Sequence, residues 1–160
     1  MNPFSDAALR GSFVNVSQRE RASIVPPDPS ALDWSRLDYL GWRDPRMPAT
    51  GYIVAELDGA PVGVLLRRAE ASARARAQCS WCEDVRLPND VVFYSAGRAG
   101  AAGRKGDSLG TLVCQDFQCS ANVRKPPPPA YLGYDVDAAV QQHIATLRRR
   151  VGDFARRVLE

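Results

Sequence analysis

The chain has 160 residues, of which 45% are apolar and 24% charged, with a net charge of +3. That length suits one compact domain burying about two-thirds of its unfolded surface, so no staple is required merely to fold. Residues 1–78 carry ten basic and nine acidic groups and residues 79–160 carry eleven and nine, a balance too mild for a general nucleic-acid binder, and no run approaches the ~20 apolar residues of a membrane span.

The opening stretch "MNPFSDAALRGSF" lacks the basic region and apolar core of a signal peptide, which points to the cytoplasm. Ser5 is placed to cap a short helix whose apolar stripe ends near Phe13, and Ser17 with Glu20 forms a capping box for a second. Prolines 26, 27 and 29 then end any helix. "LDWSRLDYLGWRDP" clusters Trp34, Leu37, Tyr39, Leu40 and Trp42, a density that reads as core, with a ligand groove as the lesser alternative. "YIVAEL" and "PVGVLL" flank Asp58-Gly59, a pair suited to the positive-φ positions of a tight hairpin turn.

Residues 67–78 are helix-permissive but weakly amphipathic. "DVVFYSA" and "LGTLVC" predict two further strands, joined by the glycine-spaced loop "GRAGAAGRKGDS". Glycine there allows a mobile backbone that can approach a partner closely, and Arg98, Arg104 and Lys105 would suit an acidic protein patch or RNA phosphate; a plain solvated turn is the competing reading. "DFQCSANVR" predicts a short helix with Asp116 near its N-terminus, where the dipole favours an acid. "KPPPPAYLGY" reads as an extended connector. From Val136 to Val158, apolar residues recur every three or four positions, with Asp135 and Asp137 at the start and arginines near the end. This predicts a long packed helix, or less favourably a basic face turned to RNA or phosphate.

The four cysteines form two pairs, Cys79–Cys82 in "CSWC" and Cys114–Cys119 in "CQDFQC". A C-x-x-C turn supplies two thiolates from one loop, and a second pair on another element completes a tetrahedron around zinc. Two disulfides suit a chain without an export signal poorly, and a thioredoxin-like redox centre would not need the second pair. One structural zinc ion is therefore the favoured reading. A four-thiolate site leaves no open coordination position for water or substrate. The only histidine, His143, lies on the last helix without a second histidine to build a common catalytic constellation. "GAAGRKGDS" does not meet the phosphate-loop pattern at any register. No enzyme and no small-molecule substrate are expected. Arginine makes up 19 of the 21 basic residues, which fits a GC-rich coding bias as well as phosphate or carboxylate recognition.

Taken in order, C-x-x-C, the arginine- and glycine-rich hairpin loop, "GTLVC", then C-x-x-x-x-C followed by "SANVR" resembles the treble-clef zinc finger of the FusB/FBP-type elongation factor G-binding proteins. "YLGWRDP" and the strand pair after it are similar to the same family, so the resemblance covers roughly residues 10 to 125; the unequal spacing of the cysteine pairs is its specific part. It implies an α+β fold with an antiparallel sheet, a zinc knuckle at Cys79–Cys82, and a helix near Cys114 that returns Cys119 to the metal. It implies translation elongation factor G as partner, on or near the ribosome, gripped through Ser80-Trp81 at the knuckle tip and through Arg104 and Lys105. The resistance proteins of that family carry an additional N-terminal helical bundle, where this chain has only short helices. The expected organisation is an FBP-type domain over 1–125, a proline-rich connector over 126–134 and a C-terminal helix over 135–160. Within the first, 1–50 is the short helical part, 51–78 the hairpin and lead-in, and 79–125 the finger. A zinc module that binds ribosomal RNA phosphates through the loop and the C-terminal arginines is the competing function.

Overall fold

A computed structural model describes residues 1–69, 77–84, 90–129 and 131–160. The reading of 67–78 as helix-permissive falls largely on residues 70–76, outside the described residues; Arg67 and Arg68 belong to a strand.

Two short helices open the chain, each fixed by the cap its sequence offers. α1 (Asp6–Gly11) starts at Ser5, whose hydroxyl accepts the Ala8 amide. α2 (Gln18–Ser23) starts at Ser17, where Ser17 and Glu20 bond each other's backbone amides reciprocally. Single turns of 3-10 helix at Pro29–Ala31 and Trp34–Arg36 then lead into β1 (Leu40–Arg43), so part of the aromatic cluster expected as core is itself a strand. β2 (Thr50–Leu57) and β3 (Ala60–Arg68) form the predicted hairpin, with Asp58 at φ 51° and Gly59 at φ 79° in its turn. β4 (Val91–Gly97) and β5 (Ser108–Cys114) form the second hairpin. The five strands lie in sequence order and pair antiparallel throughout.

Strand alternation gives this sheet two different faces. Ile53, Val64, Leu66, Tyr94, Ala96 and Val113 point into the main core, where the long helix α5 (Val136–Leu159) and the cysteines pack. Leu40, Tyr52, Val54 and Leu65 point the other way and are covered by Leu9, Phe13 and Ile24 of the N-terminal segment. Asn15 fastens that segment down: its amide group donates to the carbonyls of Leu65 and Gly97, and its oxygen accepts the Leu65 amide. α5 begins where predicted, with Asp135 accepting the Ala138 amide. Among the described residues no helix is long and apolar enough to cross a membrane.

Two glycines hold a slot in the sheet. Phe117 is buried and sits at φ 56°, a backbone conformation that bulky residues rarely adopt. Its ring lies over β1 and β2, packed on Tyr94 at a centroid distance of 5.3 Å. A Cβ on Gly41 would meet the Phe117 Cβ at 2.5 Å, and one on Gly51 would meet the ring at 2.6 Å. Because the ring is enclosed, it cannot swing aside. Gly51→Ala should therefore cost about 1–3 kcal/mol by overpacking and lower the melting temperature by roughly 3–10 °C. An unchanged thermal melt would show that the slot is slack.

Candidate metal centre and the surface it fixes

The first cysteine pair sits on a tight knuckle. The Glu83 amide closes the turn onto the Cys79 carbonyl at 2.9 Å, with Glu83 itself at φ 57°. The Cys82 amide points at the Cys79 sulfur at 3.5 Å. The Ser80 amide donates to the Leu112 carbonyl at 2.8 Å, which pins the knuckle to the edge of β5. The second pair is built by the end of that strand. β5 finishes at Cys114, the Phe117 amide turns back onto the Cys114 carbonyl, and α4 (Cys119–Asn122) begins at Cys119. The helix thus starts later than the sequence predicts. Asp116 precedes it and forms an ion pair with Arg43 at 2.8 Å instead of serving the dipole.

All four sulfurs lie within 4.8 Å of one another, with Cys79 and Cys119 at 3.7 Å and Cys82 and Cys114 at 3.5 Å. A disulfide needs about 2.05 Å, so neither pairing is a disulfide, and all four are free thiols. Four thiolates at about 2.3 Å from a tetrahedral zinc stand about 3.8 Å apart, which these spacings match. The set holds one structural zinc ion, and all four positions are taken by protein. Without an ion the four thiols divide their protons unevenly, and Cys114 is pushed up along with Cys119. Hydrogen bonds from Cys114 first, then Cys119, draw Cys79 and Cys82 below the usual thiol range, while Cys119, donating to Cys114 and Cys79, is pushed up.

Outer groups steer the sulfurs, as is usual around a metal. The buried Asn122 donates through Nδ2 to the Cys114 sulfur at 3.5 Å, while its oxygen accepts from Lys125 at 2.8 Å. The Tyr39 hydroxyl donates to the Phe117 carbonyl, and burial followed by the nearby Cys119 charge holds its pKa well above the usual tyrosine range, so it stays a neutral donor.

Trp81, which the resemblance makes a contact residue at the knuckle tip and the residues alone equally allow to pack under the metal, is only 3% exposed. Its ring is wedged between Tyr39, at 5.5 Å and nearly perpendicular, and Phe154 of α5 at 5.6 Å. The reason is apolar burial: α5 passes over the knuckle and takes the indole into the core. Arg150 of the same helix donates to the Ser80 carbonyl at 3.1 Å and pairs with Glu83 at 2.6 Å. Ser80 itself stays exposed.

The loop between β4 and β5 is not mobile backbone either. Residues Gly100–Arg104 form the short helix α3, and its neighbours dock on the end of α5. The Ala99 amide donates to the Val158 carbonyl at 2.7 Å, and Arg98 donates to the Arg157 carbonyl while pairing with Asp107. A Cβ on Gly103 would fall 1.8 Å from the Arg98 oxygen. Glycine here permits close packing of the loop on itself. Arg98 is thereby taken up as a cap for the helix C-terminus, whereas Arg104 and Lys105 stand exposed, with no side-chain partner among the described residues. His143 lies exposed on α5.

A knuckle, a hairpin and a short helix returning the fourth cysteine define a treble-clef zinc finger, set here on an antiparallel sheet and covered by a long helix. The family model described as the FBP C-terminal treble-clef zinc-finger matches residues 8–158, and the chain belongs to that family. The match runs through the proline-rich connector and α5, beyond the stretch over which the sequence resemblance was drawn. Among solved structures, the fusidic acid resistance protein FusC aligns with a TM-score of 0.57 at 18% identity, over 91% of this chain and 59% of that one. At that identity the likeness is one of fold, and the chain spans about three fifths of the length of FusC. No curated protein matches in sequence.

Proposed function

We propose that this chain is a binding protein without catalysis of its own, whose zinc-fixed surface associates with translation elongation factor G on or near the ribosome. The observation that carries this reading is the pair Arg104 and Lys105. They are exposed and unpaired among the described residues, yet they ride on a loop anchored to α5 at one side and to the zinc-bearing strand at the other. Cations held at low entropic cost suit recognition of an acidic protein surface. Membership of the family supports the choice of partner, and the fold likeness to a fusidic acid resistance protein agrees with a role in translation. Ser80 at the knuckle tip belongs to the same surface; Trp81 and Arg98 support it from within. A partner of this kind places the protein in the cytoplasm.

Titration of purified elongation factor G by calorimetry should give one-to-one binding. Replacing Arg104 and Lys105 with alanine should weaken it about five- to tenfold, mostly through slower association and a flatter salt dependence. No binding at micromolar concentrations would reject the proposal. The competing RNA reading needs free arginines on the C-terminal helix. Arg148 and Arg150 are instead turned onto Asp38 and Glu83, which takes two cations away from it. Steep, salt-released binding to a ribosomal RNA fragment, without binding to the factor, would favour that reading.

A further inference from the structure

We propose that Cys82 is an oxidative modification site: its thiolate is the sulfur of the metal set that a hydroperoxide reaches, and Cys114 resolves the product as a disulfide between the knuckle and the end of β5. This chemistry does not depend on which partner the surface takes.

The four cysteines are not equivalent. Cys79, Cys114 and Cys119 are fully buried, whereas Cys82 is only half-buried. The sulfur contacts divide in the same way. The Cys79–Cys119 contact at 3.7 Å is buried, and the Cys82–Cys114 contact at 3.5 Å is partly open. Packing explains the division: Trp81 is drawn inward onto Phe154 of α5, and the next residue, Cys82, is left at the rim of the core. Oxidation follows thiolate character combined with exposure. Cysteines ligate a metal only as thiolates, so all four present the nucleophilic form and access decides between them.

Asn122 marks the reacting pair. Lys125 donates to its oxygen at 2.8 Å, which turns its Nδ2 toward the sulfurs of Cys114 at 3.5 Å and Cys82 at 3.9 Å. A donor shared in this way favours the charged form of both sulfurs. In the first step the Cys82 thiolate attacks the outer oxygen of the hydroperoxide and the O–O bond breaks. The departing alkoxide (hydroxide, for hydrogen peroxide) takes up a proton, and Cys82 is left as a sulfenic acid. The Cys114 thiolate then attacks the Cys82 sulfur, the S–O bond breaks, and hydroxide leaves and is protonated to water. Two thiolates, one hydroperoxide and two protons thus give one disulfide, one alcohol and one water, with two electrons passed to the peroxide. Both sulfurs are lost as ligands, so the set no longer holds its metal. The new bond joins the same two elements that the four thiolates join, and a dithiol reverses it by exchange. A bond within the C-x-x-C turn, the pairing of redox motifs, would leave those elements unlinked.

The test uses zinc-loaded wild-type protein, because replacing Cys82 removes a ligand and with it the fold. It is treated with a slight excess of hydrogen peroxide, with or without dimedone to trap sulfenic acid. Alkylation, digestion and mass spectrometry then map the cysteines, while a chromogenic chelator reads released zinc. Two thiols and the zinc should be lost together, with dimedone on Cys82 when the trap is present and a Cys82–Cys114 disulfide when it is not. Dithiothreitol followed by added zinc should restore all four thiols and the metal. Trapping mainly at Cys79, Cys114 or Cys119, or a Cys79–Cys82 disulfide, would overturn the assignment. So would retention of zinc and all four thiols under peroxide that oxidises free cysteine, and so would conversion of Cys82 to a sulfinic acid with no disulfide formed.

Discussion

Protein carrying Cys114→Ser will purify without stoichiometric zinc and will lose the cooperative thermal melt of the wild type. Magnitudes decide this. Structural zinc in finger peptides contributes roughly 10–16 kcal/mol of apparent binding energy at neutral pH, whereas a whole domain is stable by only about 5–15 kcal/mol. Serine does not offer a thiolate, so the ion would keep three ligands and an unsatisfied position in a buried site. The damage does not stay at the metal. Cys79, Cys114 and Cys119 share one apolar core with Trp81, Val123, Leu147 and Phe154, so loss of the knuckle removes the floor on which α5 rests. Helical circular dichroism should therefore fall together with zinc content. Acidification should mimic the substitution, because the ligands bind only as thiolates and protons compete with the ion for them. Elemental analysis of the variant at one zinc per chain, or a melt superimposable on wild type, would overturn the structural role of the site.

Local chemistry made part of this molecule readable from its sequence. Ser5 and Ser17 cap helices because a short polar side chain before an apolar stripe has one strong option. Asp58-Gly59 forced a hairpin, and the cysteine spacing pointed to a metal site that the four sulfurs now define. What stayed hidden depends on partners distant in sequence. Nothing within "CSWC" tells whether the indole faces water, because the answer lies in Phe154, more than seventy residues onward. The glycines of the β4–β5 loop looked like freedom, since the Arg98 oxygen and the end of α5 that they pack against were invisible. β1 is not evident in the sequence because four residues with one aromatic and one glycine give too short a run to distinguish a strand from core filler. Phe117 carries no local signal for its positive φ; two glycines on other strands make room for it.

Asp38 provides the second large expected effect, and it concerns how α5 is held. Its side chain is fully buried and is paired with Arg124, which follows α4, and with Arg148 of α5 at 2.8 Å. Its own amide donates to Ser120 of α4 at 3.0 Å, so one residue ties the approach to β1, the finger and the helix together. Asp38→Asn should cost about 3–5 kcal/mol, because it leaves the largely buried Arg124 guanidinium without its counter-charge. For a chain of this size that is roughly a 10 °C fall in melting temperature. The two arginines should not behave alike. Arg148→Ala should lose no more than about 1 kcal/mol, since its side chain is 55% exposed and solvent screens the pair. Arg124→Ala should approach the full cost, because its side chain is only 19% exposed and its Nη1 also donates to the Ser120 carbonyl. Thermal melts of the three variants, measured with zinc content unchanged, test this ordering. If all three lie within 1 kcal/mol of wild type, α5 is held by Leu147, Val151 and Phe154 alone, and the buried carboxylate serves register more than stability. The ordering also separates this attachment from the metal, since a variant that keeps its zinc but loosens α5 would expose Trp81 and shift its fluorescence without releasing the ion.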